Sequence, residues 1–180
     1  MNPGRFGHAA FNQRVNASRR LHECELERLG DLKAHLVVQD HNRIVHEITA
    51  AHGGLEVELR GDGILLAFAR PEQALHCAVA LQRAFVEYSS THRDAPIHLR
   101  IGVHTGEAIK DADTFFGRSV VHAFRISDLA RGREILVSAN TKKLVERSMV
   151  LRFEDEREVD LKGLEGKHRV YSVRWEAATT

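Results

Sequence analysis

Residues 55–68 read LEVELRGDGILLAF. Two short apolar runs, Leu55–Leu59 and Ile64–Phe68, are joined by Arg60-Gly61-Asp62-Gly63. An Asp-Gly step between strand-like runs is a strong short-range signal for a β-hairpin. Such a turn carries the Asp62 carboxylate at its tip, clear of the sheet, and the flanking glycines let a metal or a large anion come close to the backbone. On the turn alone, Asp62 is either a structural turn residue or a ligand for Mg2+ or Mn2+. Such ions take oxygen ligands and keep waters and substrate phosphates as the others.

On both sides of the hairpin the pattern is helical. Leu26, Leu29, Leu36, Ile44, Val45 and Ile48 recur at helix-like intervals from about Glu25 to His52, and Gly53-Gly54 supply a stop. Pro71 opens a second helix, where its missing N–H costs nothing, and Ala74, Leu75, Ala78, Val79, Leu81 and Phe85 continue it. Residues 97–104 alternate as a half-buried strand does; Thr105-Gly106-Glu107 then turn, and Ala108-Ile109 start a returning strand. A third helix is expected over 117–130, a strand over 134–137, a short helix capped by Ser138, and two final strands over 151–161 and 169–175. Strands and helices mix without βαβ alternation. The fold class expected is therefore α+β, a mixed or antiparallel sheet with helices packed on one face.

The chain has 180 residues, 43% of them hydrophobic, which suits one domain with a full core. Twenty-six Lys and Arg against 25 Asp and Glu leave a net charge of +1, which gives no pull towards nucleic acid or an anionic membrane. No run is long and apolar enough for a membrane span, and the start lacks the apolar stretch of a signal peptide, so a cytoplasmic protein is expected. Cys77 lies in the apolar run ALHCAVAL and reads as a small core hydrophobe, whereas Cys24 has no partner at metal-ligand spacing. The histidines are scattered and read as surface or interface residues. Residues 1–24 form a basic N-terminal arm, with no acidic residue before Glu23; 25–176 form the domain and 177–180 a tail.

Six motifs occur in order: HGG (52–54), GDG (61–63), RIGVHTGE (100–107), FGRSV (116–120), ARGREILVS (130–138) and LKG (161–163). Together they resemble the catalytic domain of class III adenylate and guanylate cyclases from about Leu26 to Trp175. The resemblance implies a ferredoxin-like α+β domain acting as a head-to-tail homodimer on ATP or GTP. In that family Mg2+ or Mn2+ is held by two Asp of one subunit, while the other subunit supplies base-reading residues, an Asn–Arg pair and a phosphate-binding Lys. It implies that Asp62 is the second metal Asp, with Gly61 and Gly63 beside the substrate, that Arg125 steadies the transition state and that Lys162 binds the triphosphate. Glu58 takes one base-reading position, where an acidic side chain accepts from guanine N1–H and N2–H2. The other falls near Asp113 or Thr114.

Three departures stand against these matches. Counting back from Leu29-Gly30-Asp31 puts the first metal Asp near Ser18, and no carboxylate lies there or anywhere before Glu23. The transition-state Asn falls at Val121, which donates no hydrogen bond from its side chain. The adenine-reading Lys is replaced by Glu58. One lost donor costs about 10²–10³ in rate. A lost metal ligand costs at least as much, because charge neutralisation and nucleophile activation fail together. The expectation is a cyclase-type domain with weak or absent activity, or a non-catalytic module that dimerises, senses nucleotide or binds another protein.

Overall fold

A computed structural model of the chain describes residues 10–17, 31–60, 63–111 and 114–176. The elements run β1 (Ala10–Ala17), α1 (Asp31–Ala51), β2 (Leu55–Arg60), β3 (Gly63–Phe68), α2 (Pro71–Thr91), β4 (Leu99–Gly106), β5 (Ile109–Asp111), β6 (Thr114–Phe116), α3 (Arg118–Leu129), β7 (Glu134–Ser138), α4 (Ala139–Val145), β8 (Arg152–Asp160) and β9 (Lys167–Arg174). Seven of the strands make one sheet in the order β2-β3-β1-β4-β7-β9-β8, and β5 and β6 pair separately. The β4–β7 pair is parallel and the other pairs are antiparallel, so the expected mixed α+β sheet is what the chain adopts.

The sequence marks these elements locally. Pro71 stands at the start of α2, which buries Ala74, Leu75, Ala78, Leu81 and Phe85 along one stripe. Its C-terminal end closes with His92 N–H donating to Tyr88 O at 2.9 Å while the two rings stack at 4.0 Å. Ser138 caps α4, its Oγ accepting from Thr141 N at 3.2 Å. The returning strand at Ile109 pairs with β6, not with β4, because the β4 edges are already taken by β1 and β7.

Two differences from the sequence reading matter for the site. Ala10–Ala17, part of the stretch set apart as a basic arm, forms a strand between β3 and β4 in the middle of the sheet. The one-face arrangement of helices holds for α1, α2 and α4, which cover Ile64, Leu66, Leu99, Ile101, Val103, Ile135 and Val137. Helix α3 lies on the other face, over Leu136, Leu161 and Val170. Each fully buried Leu, Ile or Phe contributes about 1.5–3 kcal/mol. The face under α1 and α2 holds most of these side chains, so α3 rests on much the smaller apolar cluster.

Glycines set how closely α3 approaches. A Cβ on Gly102 would stand 2.3 Å from Ser127 N, and one on Gly106 would stand 2.2 Å from Ser119 Oγ. These positions bracket His104, so one face of β4 presents small, large and small residues to the helix.

Candidate functional site

The hairpin of β2 and β3 forms as the Asp-Gly step requires, closing with Arg60 opposite Gly63. Gly61 and Asp62 at its tip, and Asp113 between β5 and β6, lie outside the described residues. Glu58 stands on β2 opposite Leu65, next to a register shift between Glu56 and Glu58. On its other side β3 pairs with β1, and there Asn16 stands opposite Gly63. The strand flanking the hairpin tip thus reads AFNQRVNA, with amides and a guanidinium and no carboxylate.

Helix α3 starts after Gly117, whose φ of 122 falls in the region that favours glycine. Val121 and Arg125, one helical turn apart on α3, share its outer side. Val121 is 39% exposed and its side chain offers no hydrogen bond. Arg125 Nε–H donates to the backbone oxygen of Lys162 at 2.9 Å, and its guanidinium faces Asp128 at 3.5 Å. Lys162 itself follows β8 in an exposed turn whose Gly163 has φ +82. The fold therefore joins two of the residues expected at the site, Arg125 and Lys162, through the backbone of one and the side chain of the other. A guanidinium offers a fork of donors of the kind that phosphate oxygens accept from.

Hard divalent cations need carboxylate or carbonyl oxygens. Among the described residues no group of three or more His, Cys, Asp or Glu is placed to hold a metal. β1 supplies no acidic oxygen, and Arg14 on that strand carries the wrong charge.

A histidine cluster escaped the sequence reading. His104 on β4 stacks on His122 of α3 with ring centroids 4.6 Å apart, and His168 of β9 meets His122 edge-on at 5.0 Å. Spacing of 18 and 46 residues hides such a group from any local pattern. His104 Nδ1 lies 3.0 Å from Ser138 Oγ, which lies 3.0 Å from Thr141 Oγ1, itself 3.0 Å from Thr105 Oγ1. Burial lowers the His104 pKa to about 4, helped by the nearby His122 and His168, and burial also lowers that of His122. On the opposite face His41 is 8% exposed, with its pKa lowered by burial. The sequence reading had the histidines at the surface or an interface; His41 is buried in the core and His104 is half-buried. Cys77 is the core residue expected, and burial pushes its thiol up to about 12.

Comparison with known proteins places these features. The family model for the adenylate and guanylate cyclase catalytic domain matches residues 16–174. An uncharacterised protein of Mycobacterium tuberculosis is 36% identical over 133 residues, which cover 73% of this chain and 42% of that protein. The chain thus matches less than half the length of that relative. The solved guanylyl cyclase Cya2 superposes with a TM-score of 0.80 at 21% identity, covering 92% of this chain and 91% of that one. The adenylyl cyclase CyaB from P. aeruginosa gives 0.75 at 21% identity, with 94% of each chain covered. Among the described residues no helix is long and apolar enough to cross a membrane.

Proposed function

The chain belongs to the adenylate and guanylate cyclase catalytic domain family, and from that premise we propose that it has weak or no cyclase activity and serves as a dimerising, nucleotide-sensing domain. The observation that carries this reading is the composition of β1. The strand stands beside the Asp62 hairpin, with Asn16 opposite Gly63, and has no acidic residue. Cyclisation requires an attacking hydroxyl made nucleophilic and charge on the phosphate neutralised together. Asp62 is one carboxylate where two metal ions need two. Val121 supplies no donor where the family's Asn stands. What the chain keeps is suited to binding. Arg125 is held by Lys162 O and Asp128, so its free N–H groups are pre-oriented for a phosphate. Lys162 adds a point charge from the adjoining turn. Glu58 at the base-reading position favours guanine, so GTP is the nucleotide of first choice.

Dimerisation is part of the same reading. Ile109 and Phe116 face each other across the β5–β6 hairpin and are 67% and 47% exposed. A cross-strand apolar pair left in solvent suits burial against a second copy of the chain. The absence of a membrane-spanning helix among the described residues fits a cytoplasmic setting.

The deciding experiment incubates the pure chain with Mn2+ and ATP or GTP and looks for cyclic product by chromatography. Metal-dependent turnover abolished by Asp62→Ala would overturn the reading. A melting curve with millimolar GTP tests the binding half, because a ligand of the folded state raises the melting temperature. An unmoved melting temperature would leave a domain with an interaction role alone.

A further inference from the structure

We propose that the stacked rings of His104, His122 and His168 form a proton-sensitive latch that fastens α3 to the sheet at neutral pH and loosens it on acidification. The latch does not depend on whether the domain turns nucleotide over.

The argument starts from how α3 is held. It is the only helix of the described residues on its face, and the apolar cluster beneath it is built on Ile126, Ala130, Leu136, Leu161 and Val170. Its contacts with β4 come in three steps. Ser127 backbone lies over Gly102, His122 stacks on His104, and Ser119 lies over Gly106. The outer two steps are close approaches of small groups and carry no titratable atom. The middle step is imidazole on imidazole, with a third imidazole against its edge.

The surroundings favour the neutral rings. His104 Nδ1 is tied to Ser138 Oγ, and His122 Nδ1–H donates to Arg118 O at 3.1 Å. His168 Nε2 is shut off from solvent without a partner. The charged groups on the elements around the cluster include Arg118, Arg125 and Asp128 on α3, Arg157 on β8 with Glu134 on β7, Lys167 on β9 with Asp160 on β8, Arg169 on β9 with Glu156 on β8, Arg174 on β9 with Glu154 on β8, Glu158 on β8, and Arg100 on β4. On β1, Asn12 stands opposite His104 and Arg14 opposite Gly102. The carboxylates Glu134, Asp128 and Asp160 face Arg157, Arg125 and Lys167. No carboxylate is among the groups that set the pKa of His104 or His122. A proton taken up by either ring therefore meets other imidazoles and Arg118, with no anion among the described residues acting on it.

The sign of the effect follows. His104 and His122 are held below the ordinary value of 6.5, His104 at about 4. The unfolded or released rings bind protons more readily than the stacked ones as pH falls below about 6.5. Acidification through that window favours release of α3, the element with the smaller apolar hold, before the rest of the sheet opens. Arg125 rides on α3, so release also separates it from Lys162.

Hydrogen exchange on the full chain tests this at pH 7.5 and pH 5.0, with His122→Phe as the comparison, since phenylalanine keeps a ring and cannot take the proton. The α3 amides of the wild type are expected to exchange at least about tenfold faster than those of the variant at pH 5.0 and equally at pH 7.5. The α2 amides should match at both values, because His41 beneath them is common to the two proteins. Equal α3 exchange at both pH values overturns the latch. Should the variant not fold, an NMR titration of the wild-type imidazoles decides. His104 and His122 are expected to titrate below 6.5. Titration of both at or above that value overturns the proposal.

Discussion

Arg125 Nε–H donates to the backbone oxygen of Lys162 at 2.9 Å, tying the outer side of α3 to the turn between β8 and β9. The bond uses Nε, and one terminal nitrogen of the guanidinium faces Asp128 at 3.5 Å. Arg125→Ala is expected to cost about 0.5–1.5 kcal/mol of stability by chemical denaturation, the range for one such hydrogen bond. It is also expected to weaken GTP binding about tenfold in a thermal-shift titration, because a bond to charge contributes about 1.5–3 kcal/mol. Unchanged nucleotide binding would remove Arg125 from the site.

Gly102→Ala is expected to be among the most damaging small changes in the chain. The added methyl would stand 2.3 Å from Ser127 N and 2.7 Å from Ser127 Cα, both backbone atoms that cannot swing aside. Overpacking of this kind costs about 1–3 kcal/mol or more. Urea denaturation that shows a loss below about 0.5 kcal/mol, on the order of a surface change, would mean that α3 is not seated on β4 as described.

The departures from the family pattern predict a gain of function. Val121→Asn combined with Asn16→Asp puts a donor on α3 and a carboxylate opposite Gly63, and Val121→Asn combined with Ser18→Asp puts the carboxylate at the position the family pattern indicates. Either double variant is expected to form cyclic product from GTP with Mn2+ at about 10² times the wild-type rate or more, the effect of a single positioned donor. No gain from either would place the defect elsewhere.

Acid stability has a second source in His41. Its ring is buried beside Phe85 at 5.3 Å between centroids, and its Nε2 has no partner. Its folded pKa lies below the ordinary 6.5, so the contribution is intact above about pH 6.5 and is lost as pH falls towards the folded value. His41→Leu removes that proton uptake. Between pH 7 and pH 5 its unfolding free energy is expected to fall less than that of the wild type in urea denaturation. Parallel pH profiles would exclude the ring as the source.

Oligomeric state can be read directly. Sedimentation equilibrium is expected to give a dimer for the wild type and a monomer for Ile109→Asp with Phe116→Asp, since two charges on an apolar contact cannot both be buried. A wild-type monomer at high concentration would end the dimer reading.

The hairpin, α1, α2, α3, α4 and the last two strands were legible because each has a local mark: Asp-Gly, Gly53-Gly54, Pro71, Ser138, or a clean apolar period. β1 was not, because Phe11-Asn12-Gln13-Arg14-Val15-Asn16 carries few apolar side chains and two basic residues follow Ser18. What makes it a strand is the pair of partners on either side, β3 and β4, and that is information from distant sequence. The same reason separates the two halves of the site. Arg125 and Lys162 were found by motif, whereas the histidine stack joins positions from three elements and no short window contains it.

The place of β1 has a consequence for biosynthesis. It is translated before both of its neighbours, β3 and β4, with Phe11 finally standing opposite Phe68 on one side and Thr105 on the other. Until β4 emerges, the nascent chain can at most zip β2, β3 and β1 into a partial sheet whose β1 edge is unpaired. Such a chain must hold β1 in waiting while two long helices are completed. Delay at that stage exposes the middle of the future sheet to whatever else is in the cell.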